Sequence, residues 1–351
     1  MKTTELHYDL PAELIAQTPC QPRDAARLMV LNRASGQIQH RVFSDLPEFL
    51  TARDCLVINR TYVLPAKFIA QRRTGGRVNG LFIREHGPGR WTVLLSGVRR
   101  LRDGECMTLG TSQHDSPYRM TLLERGERGS CEVSIEPPDP ARGVLETVGR
   151  APLPPYIQRK ETEPAAMNVL DREYYQTVYA EEPGSIAAPT AGMHFTPGLL
   201  DRIRAKGTSI ADVLLHVGLG TFQPVEADDL ANHHMHSEWY SLSDEQAATI
   251  EQARLAGGCV VAVGTTSVRV LETCGKDGKL KPQSGWSDLL IYPPYRFAAT
   301  DALVTNFHLP DTTLLALVCA FAGREAIMSA YNCAIAERYR FYSYGDAMLI
   351  L

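Results

Sequence analysis

The residues best suited to chemistry sit in a small, nearly uncharged, turn-forming stretch, Gly184-Ser185-Ile186-Ala187-Ala188-Pro189-Thr190-Ala191-Gly192-Met193-His194-Phe195-Thr196. Glycine and alanine let a ligand approach main-chain N–H groups. The run ends in one imidazole and one aromatic ring beside a helix start: Thr196 reads as an N-cap, Pro197 as a first-turn proline and Leu199 to Ile203 as an amphipathic stripe. Helix N-termini suit anions. A tight structural loop with a packed histidine is the competing reading. His216-Val217-Gly218-Leu219-Gly220-Thr221-Phe222 ends a strand, with two glycines open to a flat ligand and Phe222 available to stack on it, but it lacks the third glycine of a dinucleotide fingerprint. Gly264-Thr265-Thr266-Ser267-Val268-Arg269 follows an apolar strand and opens a helix. Its hydroxyls, N–H groups and guanidinium suit a carboxylate or phosphate; a plain helix cap with a surface arginine carries the same residues. Asn306-Phe307-His308-Leu309-Pro310 also follows a strand. Arg338-Tyr339-Arg340-Phe341-Tyr342-Ser343-Tyr344 interleaves arginine with aromatics, as base stacking and phosphate contact require, or as a C-terminal seal would. His234 and His236 share one strand face, yet no further ligand has the spacing of a zinc site, so no metal is expected.

The elements that must position these groups change character along the chain. Asp9-Leu10-Pro11 starts a short helix, Leu28–Leu31 and Gln37–Val42 form a hairpin, and Cys55–Asn59 is a buried strand ending in polar residues. Between residues 66 and 150, six short strands alternate with Gly, Pro, Asp or Ser turns, the signature of a small antiparallel barrel. Pro152-Leu153-Pro154-Pro155-Tyr156-Ile157 is a stiff exit. Helix and strand then alternate: helices from Pro197, Ser243, about Ser267, Thr312 and Arg324, and strands at Ile210–Val217, Cys259–Val263, Trp286–Ile291 and Ala302–Thr305. The fold class predicted is α/β: a discontinuous mixed α/β main domain, residues 1–65 plus 151–351, with a small antiparallel β-barrel inserted at 66–150.

Bulk properties narrow the options. No apolar run approaches the ~20 residues of a membrane helix, and Met1-Lys2-Thr3-Thr4-Glu5-Leu6 is no signal peptide. The eight cysteines include no Cys-x-x-Cys pair, which argues against zinc and disulfides and for a reducing cytoplasm. Net charge is −4, but residues 66–150 carry 14 Lys/Arg against 10 Asp/Glu, so a basic module rides on an acidic body. That asymmetry permits contact with a polyanion.

Six segments taken in order resemble one family. Ala188-Pro189-Thr190-Ala191-Gly192-Met193-His194-Phe195, His216 to Phe222, His234-Met235-His236-Ser237-Glu238, Gly264 to Arg269, Thr305 to Pro310 and Tyr344-Gly345-Asp346-Ala347-Met348 are similar to the S-adenosylmethionine:tRNA ribosyltransferase-isomerases of queuosine biosynthesis, from about Tyr8 to the C-terminus. The resemblance implies a transferase that moves the ribosyl part of S-adenosylmethionine onto an aminomethyl-deazaguanine wobble base of tRNA, isomerising it to epoxyqueuosine as adenine and methionine leave. S-adenosylmethionine is then a consumed substrate, no cofactor is expected, and the partners are S-adenosylmethionine and tRNA, with no membrane, for a cytoplasmic monomer. Such a site needs an acid and a base, for which His194 and His216 are the candidates. It needs an adenine slot, for which Phe195, Phe222, Gly218 and Gly220 are candidates, and a carboxylate pocket, for which Thr265, Thr266 and Arg269 are candidates. Thr190, Gly192 and Asn306 complete the expected substrate contacts, and Arg99, Arg100, Arg102 and Arg340 the RNA contacts.

Departures from the family pattern cluster between residues 59 and 97. The usual Asn-Asp-Thr-Arg is Asn59-Arg60-Thr61-Tyr62, Gly-Gly-x-Val-Glu is Gly75-Gly76-Arg77-Val78-Asn79, and Leu-Arg/Lys-Pro is Leu95-Ser96-Gly97. They raise an alternative: a divergent paralogue acting on another amine, or a non-catalytic RNA- or nucleotide-binding relative.

Overall fold

The computed structural model describes residues 1–110, 116–159, 165–218, 220, 225 and 227–351. The chain forms two compact units, Met1–Tyr62 with Pro154–Arg159 and Gln176–Leu351, and Val63–Leu153 with Lys160–Tyr175. The second unit therefore takes in more chain than the expected 66–150. Helix Ala165–Tyr174 belongs to it, tied by Arg172, whose guanidinium pairs with the Glu146 carboxylate and donates to the Glu146 carbonyl at 3.1 Å. That attachment joins residues 26 apart, which local pattern does not reveal.

The larger unit is built on a nine-stranded mixed sheet in the order Gln283–Ser287, Glu238–Leu242, Ser209–Leu215, Cys55–Asn59, Val260–Val263, Ala302–Asn306, Ala347–Ile350, Arg27–Leu31, Ile38–Val42. The four strands Ser209–Leu215, Cys55–Asn59, Val260–Val263 and Ala302–Asn306 run parallel. Such strands are covered on both faces, and alternate residues serve two cores. Cys55 and Val57 join the layer of Leu271, Leu315 and Ile327; Leu56 and Ile58 join that of Leu199, Leu200 and Ile203. Ser209–Leu215 and Val260–Val263 flank Cys55–Asn59 on opposite sides, so connections diverge at the carboxyl ends of these strands. Open α/β sheets form their ligand crevices at such a point.

Helix boundaries follow their caps. Thr196 accepts from Leu199 N at 3.1 Å to open Pro197–Ala205, and Ser243 from Gln246 N at 3.3 Å to open Asp244–Leu255. Helix Gly264–Cys274 begins earlier than the expected Ser267, because Gly264 takes φ +83° and turns the chain straight off its strand. The expected helix near residue 11 is only a 3-10 turn, Ala12–Leu14, that follows Pro11 without a side-chain cap. The edge strand runs over Gln283–Ser287, set by its antiparallel partner Glu238–Leu242, rather than over 286–291.

The smaller unit is a closed six-stranded barrel in the order Ser130–Glu136, Arg90–Leu95, Arg77–Gly87, Lys67–Arg72, Cys106–Leu109, Arg119–Arg125. Trp91 fills it, edge-on to Phe82 at 5.1 Å and Phe68 at 6.5 Å. Closure removes open strand edges. Two of the departures are cross-strand neighbours here: Asn79 N donates to Ser96 Oγ at 3.0 Å and Ser96 N to Asn79 O at 2.9 Å. No single described helix is long and apolar enough to cross a membrane.

Candidate active site

The parallel strands converge at their carboxyl ends on a crevice partly open to solvent, where open α/β sheets bind small molecules. Its walls are Ala188 to Ala191 from the small-residue stretch, Gly264, Thr265 and Thr266 from a helix start, Thr305 to Leu309 after a strand, and Thr312 and Leu314 from a second helix start, with Tyr156, Val217, Tyr342 and Ser343. Among the expected contacts, Thr190, Thr265, Thr266 and Asn306 are thereby brought together.

The wall is rich in neutral donors and acceptors. Helix Gly264–Cys274 has no side-chain cap, so its first-turn amides face the Thr265 and Thr266 end with their dipole unscreened by a capping residue. Helix Thr313–Ala322 presents its N-terminus to the same space, with Thr312 capping Leu315 N at 3.3 Å. Thr266 Oγ1 and Asn306 Oδ1 are buried polar atoms without a partner among the described residues. Buried polar atoms are normally satisfied, so each such atom needs an explanation; a bound ligand supplies one.

Several expected contacts have other work. Arg269 is 5 % exposed: it pairs with the equally buried Glu238 and donates to the carbonyls of Leu289 at 3.2 Å and Ser287 at 3.1 Å. Its guanidinium ties the helix to two strands and does not line the crevice. Gly218 N donates to the other Glu238 oxygen at 2.8 Å. A Cβ on Gly220 would fall 2.4 Å from His236, and one on Gly192 2.0 Å from the Tyr179 hydroxyl, so these glycines make room for protein rather than ligand. Phe195 is fully buried, edge-on to Phe43 at 5.0 Å, and is a core anchor. The helix start beside it is already occupied: Thr196 caps it and donates to Asp24 at 3.0 Å. Phe222 lies outside the described residues. Arg340 is half-buried and donates to the carbonyls of Thr18 and Tyr344, whereas Arg99, Arg100 and Arg102 are exposed on the barrel around the turn Val98–Arg100.

Neither expected acid–base histidine lines the crevice. His194 is buried, stacked obliquely on Phe43 at 4.9 Å and hydrogen-bonded to Asn306 Nδ2 at 3.2 Å; burial, with Arg340 and Arg23 nearby, pushes its pKa down to about 3. His216 is half-buried just past its strand, beside the lining residue Val217. Its Nδ1 is 2.9 Å from Thr61 Oγ1 and its ring stacks on Trp239 at 5.5 Å. Asn59 holds Leu215, the residue before it, through both main-chain groups at 3.0 and 3.1 Å. Gly184 clears the space: a Cβ there would lie 2.6 Å from the His216 ring. Burial lowers the His216 pKa, opposed by Glu182 and reinforced by Arg60. The histidine in the wall is His308, from the segment Asn306–Pro310, which the sequence does not single out as an acid or base. Its ring meets Thr305 Oγ1 at 2.8 Å, and two buried phenols hold its backbone, Tyr331 accepting from its N–H at 2.9 Å and Tyr8 donating to its carbonyl. Burial pushes the His308 pKa down to about 3, so its imidazole is neutral.

The departure at Arg60 is met locally. The guanidinium reaches Asp212 at 2.7 Å and lies 3.8 and 3.7 Å from Glu181 and Glu182, so the basic side chain at an acidic position of the motif has three carboxylates around it. Among the described residues no group of three or more His, Cys, Asp or Glu is placed to hold a metal ion.

Comparison with known proteins adds a consistent picture. A family model described as a queuosine biosynthesis protein matches residues 3–350. An S-adenosylmethionine:tRNA ribosyltransferase-isomerase from Symbiobacterium thermophilum is 51 % identical over 353 residues, covering both chains fully. One from Acetivibrio thermocellus is 45 % identical over 352 residues, again covering both fully. The crystal structure of S-adenosylmethionine tRNA ribosyltransferase from Thermotoga maritima aligns with TM-score 0.56 at 37 % identity, covering 99 % of this chain and all of that one.

Proposed function

This chain belongs to the queuosine biosynthesis protein family, and from that premise we propose that it transfers and isomerises the ribosyl part of S-adenosylmethionine onto the aminomethyl-deazaguanine wobble base of tRNA, releasing adenine and methionine. The relatives' names support this reading and lend none to a different acceptor or a non-catalytic role. All eight cysteines are free thiols, which fits a cytoplasmic enzyme.

The observation that carries the reading is the uncapped start of helix Gly264–Cys274 opening, through Thr265 and Thr266, into a crevice otherwise walled by neutral residues. A helix start of this kind binds a carboxylate without a full cationic charge, which suits the amino-acid end of a ligand that is itself a sulfonium. The sulfonium acidifies the adjacent C5′ protons, so a neutral imidazole suffices as base. We assign that role to His216, which does not line the crevice but adjoins its lining residue Val217, so the reading places C5′ at the Val217 end. The lowered pKa of His216 favours the neutral imidazole. Loss of the C5′ proton leaves an ylide; the C4′–O4′ bond opens to a vinyl sulfonium and a C1′ aldehyde as adenine leaves with a proton on its departing nitrogen. The acceptor amine adds at C4′ and gives up a proton, the regenerated C5′ carbanion closes onto C1′, and the alkoxide so formed displaces methionine to give the epoxide.

Incubation with S-adenosylmethionine and tRNA bearing the aminomethyl base is expected to release adenine and yield modified tRNA. Tight tRNA binding without adenine release would overturn the assignment. The exposed Arg99, Arg100 and Arg102 are the proposed phosphate contacts on the barrel. Changing all three to Gln is expected to weaken tRNA binding and flatten the dependence of log Kd on log salt by about 2 to 3, at roughly 0.7–0.9 per phosphate contact. An unchanged slope would take the barrel out of the contact surface.

A further inference from the structure

The amide of Asn306 is held in one orientation by the protein. Its Nδ2 donates to the Tyr342 carbonyl at 3.1 Å and to His194 Nε2 at 3.2 Å. A main-chain carbonyl can only accept, so the nitrogen must face Tyr342, and that fixes which side of the amide is oxygen. Both N–H groups are thereby used. Oδ1 is left without a partner among the described residues, on a side chain that is 2 % exposed and forms part of the crevice wall. His194 meets Asn306 from behind: it is 5 % exposed, packed on Phe43 and absent from the wall.

Resting on the reading that the crevice takes S-adenosylmethionine, we propose that Asn306 Oδ1 accepts a hydrogen bond from a neutral donor of that ligand, and that His194 is a positioning residue that holds the amide for this purpose and carries no proton in the reaction. The geometry gives His194 one task, to accept from Nδ2, which a neutral imidazole performs. The same electrostatics select the ligand group. Arg23, which donates to the Met193 carbonyl at 3.2 Å, and Arg340 raise the potential on the His194 side of Asn306, which disfavours an ammonium at the amide. An uncharged N–H or O–H of the nucleoside half, the exocyclic amine of the purine or a ribose hydroxyl, suits the site better than the amino group of methionine.

The test separates the two roles by what replaces the imidazole. Glutamine keeps an acceptor but cannot shuttle a proton as histidine does; leucine removes both functions. His194→Gln is expected to keep the calorimetric Kd for S-adenosylmethionine and kcat for adenine release within about threefold, with an unchanged pH profile. His194→Leu and Asn306→Leu are expected to raise Kd by about 5- to 100-fold, the range for a buried hydrogen bond left unmade. Thermal melts check that each variant is folded, and Asn306→Leu stands independently of any misfolding at position 194. With adenosine and methionine as separate probes, Asn306→Leu is expected to weaken adenosine binding and leave methionine binding as it was. Normal binding by His194→Gln together with about a 100-fold loss of kcat, the scale of general acid–base catalysis, or a shifted pH profile overturns the positioning role; loss of methionine binding alone overturns the assignment of the donor. Wild-type protein that binds no S-adenosylmethionine would instead remove the reading beneath both.

Discussion

Replacing His216 by glutamine is expected to lower kcat by about 10²- to 10⁴-fold, the range for loss of a general base, while leaving affinity for S-adenosylmethionine within about twofold. The ring has the support that a base requires: Thr61 on Nδ1, Trp239 against its face and the missing side chain of Gly184. Its pKa lies below the ordinary 6.5 because burial disfavours the imidazolium. The acid limb of kcat/KM is therefore expected below pH 6.5, with the base competent at neutral pH and lost only as the solution becomes acidic. Arg60 contributes to that depression, so Arg60→Met is expected to move the limb upward in pH. Full turnover by His216→Gln, or an acid limb unmoved by Arg60→Met and lying above 6.5, would sink the assignment.

Glu238→Leu is expected to destabilise the larger unit by about 3–5 kcal/mol, because it strands a buried guanidinium. Arg269 and Glu238 are each 5 % exposed, and the pair links helix Gly264–Cys274 with strands Glu238–Leu242 and Gln283–Ser287. Glu238 also receives Gly218 N, so the segment after His216 loses its anchor in the same variant. Replacing both ends, Glu238→Leu with Arg269→Met, leaves no unpaired charge and is expected to recover much of the loss, since an apolar pair of similar volume can match a buried ion pair. Denaturant midpoints measure both. A single variant as stable as the parent, or a double variant less stable than the single, would contradict the account.

Local grammar made much of the scaffold legible. Turn residues every ten or so positions mark the barrel strands, and Thr196-Pro197 and Ser243 mark helix starts, because caps and turns are set by neighbouring backbone. The sequence also marked which segments matter, since Thr190, Thr265, Thr266 and Asn306 all reach one crevice. What each residue does there was settled elsewhere. Arg269 finds its carboxylate 31 residues away, and His194 its amide 112 residues away. Burial decides the charge state of His194 and His308 alike. Nothing near these residues in the chain encodes a partner that distant in sequence. Sequence alone determined the family, the barrel and the strand-end segments; tertiary packing decided which histidine faces the crevice, which glycines merely give way to a neighbouring side chain, and which cation is already paired, because those properties belong to contacts between distant segments.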